Sequence, residues 1–392
     1  METVNEMLDI NALYDRIIEK EKVVAARTGS NIPYTTDENG RFDDKSSEKD
    51  INWWTNGFYP GMLWLLYKET DDLRFAEKAR IIADKLSVCF FNFYRLDHDM
   101  GFLWMPTDVT DYRLTGSATG RRRGLHAANI LAGRFNPAGD FIRAWNDGIG
   151  KEHSADSNAG WCIIDCLMNL PLLYWASNET GDPRFKHIAM RHADMALKHF
   201  LRADGSVNHI VSIDPETGRF KESFGGQGYE KGSSWTRGQG WALYGFCLSY
   251  LYTGEERYLL ASMKVADYFS LHIPESGLIP IDFKQPEEPA YEDSTAAAIA
   301  ACGFLALADA LEKYGKNYQH QTGPEHYRDA ALQLIKALAD NRMDMNMDHD
   351  NLLTHCSSAY HHGQIHIPII YGDYFFMEAV FRLHGSDFNI WK

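Results

Sequence analysis

The sequence is short of positive charge. It holds 39 Lys and Arg against 54 Asp and Glu in 392 residues, which gives a formal net charge of −15. A surface that binds nucleic acid needs clustered basic residues, so this balance argues against nucleic acid as a partner. A small anionic ligand remains possible, because one or two local arginines are enough to hold it.

Targeting and membrane-spanning segments are also lacking. The N-terminus, METVNEM, has neither the basic region nor the apolar stretch of a secretory signal. The longest uncharged apolar run, about 296–308, is too short to cross a bilayer. We therefore expect a cytoplasmic protein without a membrane partner.

Several catalytic and metal-binding motifs are missing. The six cysteines form no CxxC pair and lie mostly in apolar stretches, which is typical of reduced, buried thiols. The chain has no GxSxG elbow, no HExxH motif and no phosphate-binding glycine loop. One histidine group lacks the spacing of metal ligands on one helix face: His355, His361, His362 and His366. We expect no metal, which leaves acid–base chemistry by carboxylates and histidines.

Aromatic residues, in contrast, are abundant. The chain has 10 Trp, 20 Tyr and 21 Phe, and several tryptophans stand beside Gly, Asn, Asp or Arg. Aromatic faces next to polar groups suit a sugar-binding cleft, and core packing is the alternative.

An internal repeat organises the chain. A turn, a basic residue and an alanine-rich amphipathic stretch recur near residues 69, 115, 180 and 253, and more weakly near 323. In three copies a Thr-Gly pair is placed to end one helix, and acidic residues or proline open the next.

Two classes of helix alternate along the sequence. The apolar helices are predicted at 55–68, 100–113, 159–178, 237–252, 294–314 and 372–384. The amphipathic helices are predicted at 4–21, 74–90, 118–134, 184–201, 257–272 and 325–341. Short extended pieces are expected near 207–223 and 278–283.

Six helical hairpins predict an all-α fold, an (α/α)6 barrel in which the apolar helices form an inner ring. An open solenoid is the alternative, and closure is favoured because no polar capping repeat is visible at the C-terminus. No linker divides the chain, so we expect a single domain over 1–392. Long loops precede the inner helices and are expected to wall a cleft: 22–54, 135–158, 202–236, 273–293 and 342–371.

Two aspartates are candidates for acid–base catalysis. Asp165 lies in an otherwise apolar run, where a charge is rare without a partner or a function. Burial there would raise its pKa and keep it protonated for general-acid work. The alternative is a buried carboxyl that caps a helix or bonds to Tyr or Trp. Asp99 opens an inner helix, so a helix N-cap is the alternative for that residue.

A second candidate group lies around residues 232–244. Arg237 falls in the first turn of a predicted helix, where the helix dipole disfavours a cation. It could hold a carboxylate, with Trp235 and Trp241 as stacking faces, and a structural ion pair is the alternative. His209 and Gln227, in the preceding loop, are weaker candidates, since each alone is most often ordinary loop polarity.

Six motifs in this order resemble the unsaturated glucuronyl hydrolases, family 88 of the glycoside hydrolases, over nearly the whole chain. They are WTNGFYPG at 54–61, HDMGF at 98–102, RRGLHAAN at 122–129, IDCLMNLPLLYW at 164–175, SWTRGQGW at 234–241 and YGDYFF at 371–376. The resemblance implies an (α/α)6 barrel, in agreement with the hairpin count. It also implies a hydrolase that removes the Δ4,5-unsaturated uronic acid from the non-reducing end of lyase-generated oligosaccharides of glycosaminoglycan type.

The resemblance also implies roles for individual residues. Asp165 matches the family's catalytic acid/base, and Asp99 matches its second essential aspartate. The substrate-binding residues are expected to be His209, Gln227, Trp235, Arg237, Trp241, Trp54 and His98. In the implied mechanism Asp165 protonates C4 of the unsaturated sugar and then activates a water that adds at C5. This mechanism requires neither a metal nor an organic cofactor.

Three alternatives remain open at the level of the sequence. An unsaturated rhamnogalacturonyl hydrolase would share the fold and the chemistry. A sugar epimerase or isomerase on the same toroid would rely on paired histidines on inner helices, which are poor in histidine here. A non-catalytic oligosaccharide-binding protein would bind without turnover. The expected partner is an unsaturated oligosaccharide, and the expected state is a monomer or a weak homodimer.

Overall fold

The structure, a computed structural model, describes residues 8–147, 157–314, 322–361 and 363–392. Residues 4–7 of the first predicted helix and His362 of the histidine group therefore lie outside the described residues.

Thirteen helices in the described ranges account for most of the fold. In chain order they are α1 (Ile10–Thr28), α2 (Phe58–Thr70), α3 (Leu73–Leu86), α4 (Met100–Trp104), α5 (Thr110–Thr115), α6 (Ala118–Ala132), α7 (Leu170–Thr180), α8 (Pro183–His199), α9 (Thr236–Thr253), α10 (Glu256–Leu271), α11 (Ser294–Tyr314), α12 (Pro324–Asn341) and α13 (Ile370–His384). The first helix ends seven residues beyond the predicted 4–21. It begins where the Asp9 side chain accepts the Ala12 N–H and ends at Gly29, which has a φ of 63°.

The inner helices form a closed ring. Contacts run from α2 to α5, from α4 to α7, and onward through α9 and α11 to α13, which packs back on α2. Each amphipathic helix packs on one inner helix: α3 on α2, α8 on α7, α10 on α9, α12 on α11 and α1 on α13, while α6 covers the α4–α5 segment. The predicted six-hairpin barrel is confirmed, and the closure of the ring excludes the open solenoid.

The hairpin turns contain the predicted residues that end one helix and begin the next. Gly116, Gly181 and Gly254 end their helices in the left-handed region, with φ of 76°, 69° and 71°. Asp182, after Gly181, and Asp72, after the left-handed Asp71, cap the next helix by accepting a backbone N–H two residues on. Local sequence therefore places these turns without help from tertiary contacts.

Two inner helices depart from the prediction. The segment predicted as one helix over 100–113 contains a π-helical turn, Met105–Val109, between α4 and α5. Pro106 lies in this turn, and its missing N–H interrupts the regular ladder. The helix predicted over 159–178 begins only at Leu170, because a strand and a 3-10 turn (Ile164–Met168) precede it.

Five short strands accompany the helices in the described ranges. They are β1 (Phe135–Asn136), β2 (Phe141–Ile142), β3 (Trp161–Ile163), β4 (Ile210–Ile213) and β5 (Phe220–Phe224). β3, β4 and β5 form an antiparallel sheet in that order, and β1 pairs with β2. The extended region expected near 207–223 is confirmed, whereas 278–283 makes only isolated bridges, to Trp235 and Glu292.

The core accounts for the apolar runs of the sequence. α11 is the one described helix long and apolar enough to span a membrane, but 94% of that stretch is buried inside the fold. Its apolar character is therefore explained by its place in the inner ring. All six cysteines are free and buried, as predicted.

Candidate active site

Long loops at one end of the ring enclose a cleft of about 960 Å³. Four of the five loops predicted to wall a cleft contribute to its lining, together with the first turns of α9 and α13. Prominent lining residues are Tyr34, Trp53, Trp54, Trp145, Gln227 and His361. The cleft therefore has aromatic walls with polar groups between them, as the sequence predicts.

Asp165 lies in the 3-10 turn that links β3 to α7. Its residue is 9% exposed, and its Oδ1 makes no hydrogen bond in the described part of the chain. Burial raises the pKa of this carboxyl to about 7, and the nearby charge of Arg237 opposes the increase. A substantial fraction of Asp165 therefore holds a proton near neutral pH. Asp165 Oδ1 therefore neither caps a helix nor bonds to a Tyr or Trp side chain, which were the two alternatives to a functional role.

His209 lies beside Asp165, immediately before β4. Its Nδ1 accepts the Gln227 backbone N–H at 3.0 Å and lies 3.2 Å from the Gly225 carbonyl, and its Nε2 lies 3.9 Å from Asp165 Oδ1. Gly226 makes this placement possible, since it has a φ of 59° and a Cβ there would lie 2.0 Å from His209 Nδ1. The glycine-rich loop thus serves to hold an imidazole against the cleft wall.

Asp99 occupies the N-cap position of α4, but its side chain does not cap the helix. Its Oδ1 accepts a hydrogen bond from Asn169 Nδ2 at 3.1 Å and lies 3.3 Å from His98 Nε2. Burial raises its pKa well above the usual value, and the charges of Asp97 and Asp165 act in the same direction. The charge of Asp165 therefore disfavours ionisation of Asp99.

His98 was expected to contact substrate, and the structure gives it a different position. It is 1% exposed, and its Nδ1 lies 3.0 Å from the Ala144 carbonyl oxygen. Because a carbonyl only accepts, Nδ1 carries a proton, and Nε2 faces Asp99 Oδ1. A hydrogen bond there requires a proton on one of those two atoms. His98 therefore acts on Asp99 and not directly on the cleft.

Arg237 forms the ion pair that the sequence left as the alternative to a carboxylate clamp. Its Nη1 lies 2.7 Å from Asp293 Oδ2 and also donates to the Ser357 carbonyl at 2.5 Å, and its Nη2 donates to the Ser358 carbonyl at 2.6 Å. The guanidinium also lies over the Trp235 ring, 4.7 Å from its centroid. Asp293 thus compensates the cation at the helix start.

The three tryptophans predicted to bind substrate have different surroundings. Trp54 lines the cleft and contacts Tyr371. Trp241 is fully buried, with its ring against Phe102 and Phe375, so its expected stacking on substrate is corrected to core packing. Trp235 is 3% exposed and lies beneath His209, with ring centroids 4.0 Å apart, so it supports the imidazole.

Asn169 is a site residue that the sequence reasoning missed. It is fully buried, and it contacts Asp99 through its side-chain amide. The available signal was an amide four residues after Asp165 within an apolar run.

One group of possible metal ligands occurs in the described ranges: the side chains of Asp97, His98 and Asp99, whose ligand atoms lie within 4.8 Å of one another. Their hydrogen bonds account for this proximity, because Asp97 accepts the Asp99 backbone N–H at 2.9 Å and His98 bonds to Ala144. The expected absence of a metal stays a prediction.

Comparison with known proteins identifies the family. The sequence model of the family described as Glycosyl Hydrolase Family 88 matches residues 28–378. The chain belongs to this family. It is 34% identical over 369 residues to the unsaturated glucuronyl hydrolase of Bacillus sp. (strain GL1), and the aligned region covers 93% of each chain. It is 31% identical over 356 residues to the unsaturated chondroitin disaccharide hydrolase of Streptococcus pyogenes serotype M1, covering 88% of this chain and 85% of that one.

A solved structure of a family 88 relative agrees in fold. A UGL complex with dGlcA-Glc-Rha-Glc superposes with a TM-score of 0.87 at 30% identity, covering 96% of this chain and 97% of the other. This chain is accordingly a glycoside hydrolase with the α/α toroid fold, and the family resemblance seen in the sequence is confirmed.

Proposed function

We propose that this family 88 protein removes a Δ4,5-unsaturated uronic acid from the non-reducing end of oligosaccharides left by polysaccharide lyases. The observation that carries the proposal is the buried Asp165 carboxyl, which lies 3.9 Å from the cleft-lining His209 and has an unpartnered Oδ1 and a pKa of about 7. Such a group can give up a proton and take one back in the same pH range.

The reaction proceeds by hydration of the enol ether. Asp165 transfers its proton to C4, the C4–C5 double bond supplies the electron pair of the new C–H bond, and positive charge develops at C5 and the ring oxygen. The Asp165 carboxylate then takes a proton from water as the water oxygen bonds to C5. The resulting hemiketal opens, and the glycosidic link is lost by rearrangement. One carboxyl acting first as acid and then as base suffices, so the paired spacing of ordinary glycosidases is not required.

The cleft provides surfaces for the sugar. Trp54 offers an aromatic face to a pyranose ring, and His209 and Gln227 offer polar groups in the same lining. Arg237 contributes its positive charge to the uronate site from within its ion pair with Asp293.

The relatives support the substrate class. One is named for chondroitin disaccharides, and a UGL complex holds a dGlcA-terminated oligosaccharide. We assign glycosaminoglycan-type disaccharides to this chain as the preferred substrates.

The net charge of −15 supports the absence of nucleic acid from its partners. The buried free cysteines support a cytoplasmic location, and we propose a monomer or weak homodimer.

An unsaturated rhamnogalacturonyl hydrolase is the second candidate, since the same acid could act on pectin fragments. An epimerase that uses paired histidines is less favoured, because His209 is the histidine that approaches Asp165 and His98 is engaged with Asp99.

The experiment follows the ultraviolet absorbance of the conjugated enol ether. Purified protein is mixed with unsaturated disaccharides from hyaluronan, chondroitin sulfates, heparin and pectin. Loss of absorbance on glucuronyl substrates is expected. Loss only on rhamnogalacturonyl fragments would establish the second candidate, and no loss on any substrate would contradict the hydrolase proposal.

A further inference from the structure

Exposed apolar side chains are concentrated in one short segment, residues 88–94. Phe91, Phe93 and Tyr94 are 92%, 59% and 64% exposed, and Val88 is 50% exposed. Trp53, which lines the cleft, is a further exposed aromatic residue. Single exposed apolar residues are common on protein surfaces, whereas a group of them marks a binding surface. This segment therefore calls for a ligand or a partner.

A groove of about 540 Å³ lies along this segment. We call it the accessory groove, and its lining includes Glu48, Asn52, Lys85, Val88, Phe91 and Arg95. The lining combines an aromatic face with amide and charged groups. A sugar has apolar C–H faces and hydroxyl edges, so this combination suits a carbohydrate.

The accessory groove carries positive charge on a chain whose net charge is −15. Its lining holds two cations, Lys85 and Arg95, and one carboxylate, Glu48. Lys85 Nζ donates to the Ser30 carbonyl at 2.6 Å, and Arg95 Nη1 donates to the Glu48 carbonyl at 2.7 Å. Carbonyl oxygens fix the positions of these cations without cancelling their charge. The groove is therefore complementary to an anionic ligand.

The accessory groove and the cleft share one stretch of chain. Asn52 lines the groove, and the next residue, Trp53, lines the cleft. Asn52 Nδ2 donates to the Arg95 carbonyl at 3.1 Å, which joins this stretch to the exposed segment. Asn146, the neighbour of a cleft-lining tryptophan, donates to the Tyr94 carbonyl in the same way. A molecule that extends out of the cleft past Trp53 therefore reaches the groove.

The proposed reaction determines which part of a substrate extends in this direction. The unsaturated uronic acid is the terminal sugar and occupies the cleft, so the reducing-side sugars lead away from it. In a chain of glycosaminoglycan type, a uronate carboxylate recurs on alternate sugars. These carboxylates match the charge of Lys85 and Arg95.

We propose that the accessory groove binds the reducing-side sugars of anionic unsaturated oligosaccharides longer than a disaccharide. Phe91 packs on a sugar ring, and Lys85 and Arg95 hold the uronate carboxylates. This inference rests on the proposed function, because one substrate occupies both the cleft and the groove.

The test compares the unsaturated disaccharide and hexasaccharide of hyaluronan in the absorbance assay. Wild-type kcat/KM should be higher for the hexasaccharide, and added NaCl should reduce this preference because exposed charges are screened. The double variant Phe91→Ser, Lys85→Gln should lose the preference through a roughly 5- to 10-fold rise in KM for the hexasaccharide. Its kcat/KM for the disaccharide should stay at the wild-type value.

The matched control is the double variant Leu271→Ser, Lys264→Gln. It removes an exposed apolar side chain and an exposed lysine from α10, and neither residue lines the cleft or the accessory groove. This variant should keep the wild-type preference for the hexasaccharide. Thermal unfolding of both variants verifies that they are folded.

The outcomes separate the possible occupants of the groove. Equal wild-type kcat/KM for both lengths, or a groove variant that keeps the preference, would overturn the proposal. Sedimentation tests a second copy of the chain as the occupant. A wild-type dimer that the groove variant abolishes, with an unchanged length preference, would also overturn the proposal.

Failure of the proposed function is recognised separately. A wild-type protein without activity on any unsaturated disaccharide would contradict the hydrolase. Calorimetric titration with saturated hyaluronan hexasaccharide then tests the groove alone. Weaker binding to the groove variant than to the wild type would support the groove, and equal binding would overturn it.

Discussion

Replacing the catalytic carboxyl should stabilise the protein while abolishing its activity. Asp165→Asn keeps the shape of the side chain and removes its charge. The pKa of Asp165 is about 7 in the fold instead of 3.8, and each tenfold change in proton affinity is worth about 1.4 kcal/mol. Ionising this group in the folded protein therefore costs about 4 kcal/mol, a cost that the asparagine variant does not have.

The sign of this effect sets its pH dependence. Below about pH 4 the carboxyl is protonated in both the folded and the unfolded chain, so variant and wild type should be equally stable. Between about pH 4 and pH 7 the unfolded chain ionises first, and the wild type loses stability relative to the variant. Above pH 7 the difference should be constant at its full value.

Thermal unfolding at pH 4, 6 and 8 measures this difference, and the absorbance assay measures turnover on the same samples. The melting temperature of the variant should exceed that of the wild type by several degrees at pH 8 and match it at pH 4. Asp387→Asn is the control, because that side chain is 88% exposed and should show no such trend. Equal stabilisation at both pH values, or retained turnover, would refute the role given to Asp165.

Three further predictions test the surrounding residues. Arg237→Ala leaves a buried acidic partner unpaired, so stability should fall by about 3–5 kcal/mol; a variant with wild-type melting and only a raised KM would instead establish a substrate clamp. Gly226→Ala places a Cβ 2.0 Å from the histidine nitrogen beside it, and kcat/KM should fall at least about 10-fold. The Gly232→Ala control, with a φ of 82° but open space, should alter stability alone. Trp54→Ala should raise KM and lower the melting temperature less than Trp241→Ala, which should destabilise the core by about 3–5 kcal/mol; the reverse order would contradict their assignment to cleft and core.

Local signals account for the parts of the fold that the sequence predicts. The Thr-Gly turns and the capping aspartates act within a few residues of themselves, so the hairpins at 180–184 and 253–257 can be recognised without tertiary information. The segment 159–169 could not be recognised in this way. Its strand pairs with β4, about 50 residues later, and a short apolar run fits a strand, a 3-10 turn or a helix equally well.

At the site too, the sequence does not reveal roles that depend on residues distant along the chain. Asp165 is conspicuous because a charge interrupts an apolar run, and the structure places it next to His209, a residue that lines the cleft. Arg237 and Trp241 have polar, glycine-rich neighbours like those of a binding residue, but their roles depend on distant parts of the chain. Asp293, 56 residues from Arg237, neutralises the guanidinium, and the inner ring covers the indole. Residue type and spacing carry no information about such long-range partners.

Closure of the inner ring has a consequence for biosynthesis. α2 leaves the ribosome long before α13, although the two helices are neighbours in the ring. Trp391, which follows α13, completes the aromatic packing around Phe58 and Phe375. Until those last residues emerge, the nascent chain is an open arc with an unpaired apolar face at each end. Such an intermediate favours association between chains, so the packing of α13 on α2 decides between a closed ring and aggregation.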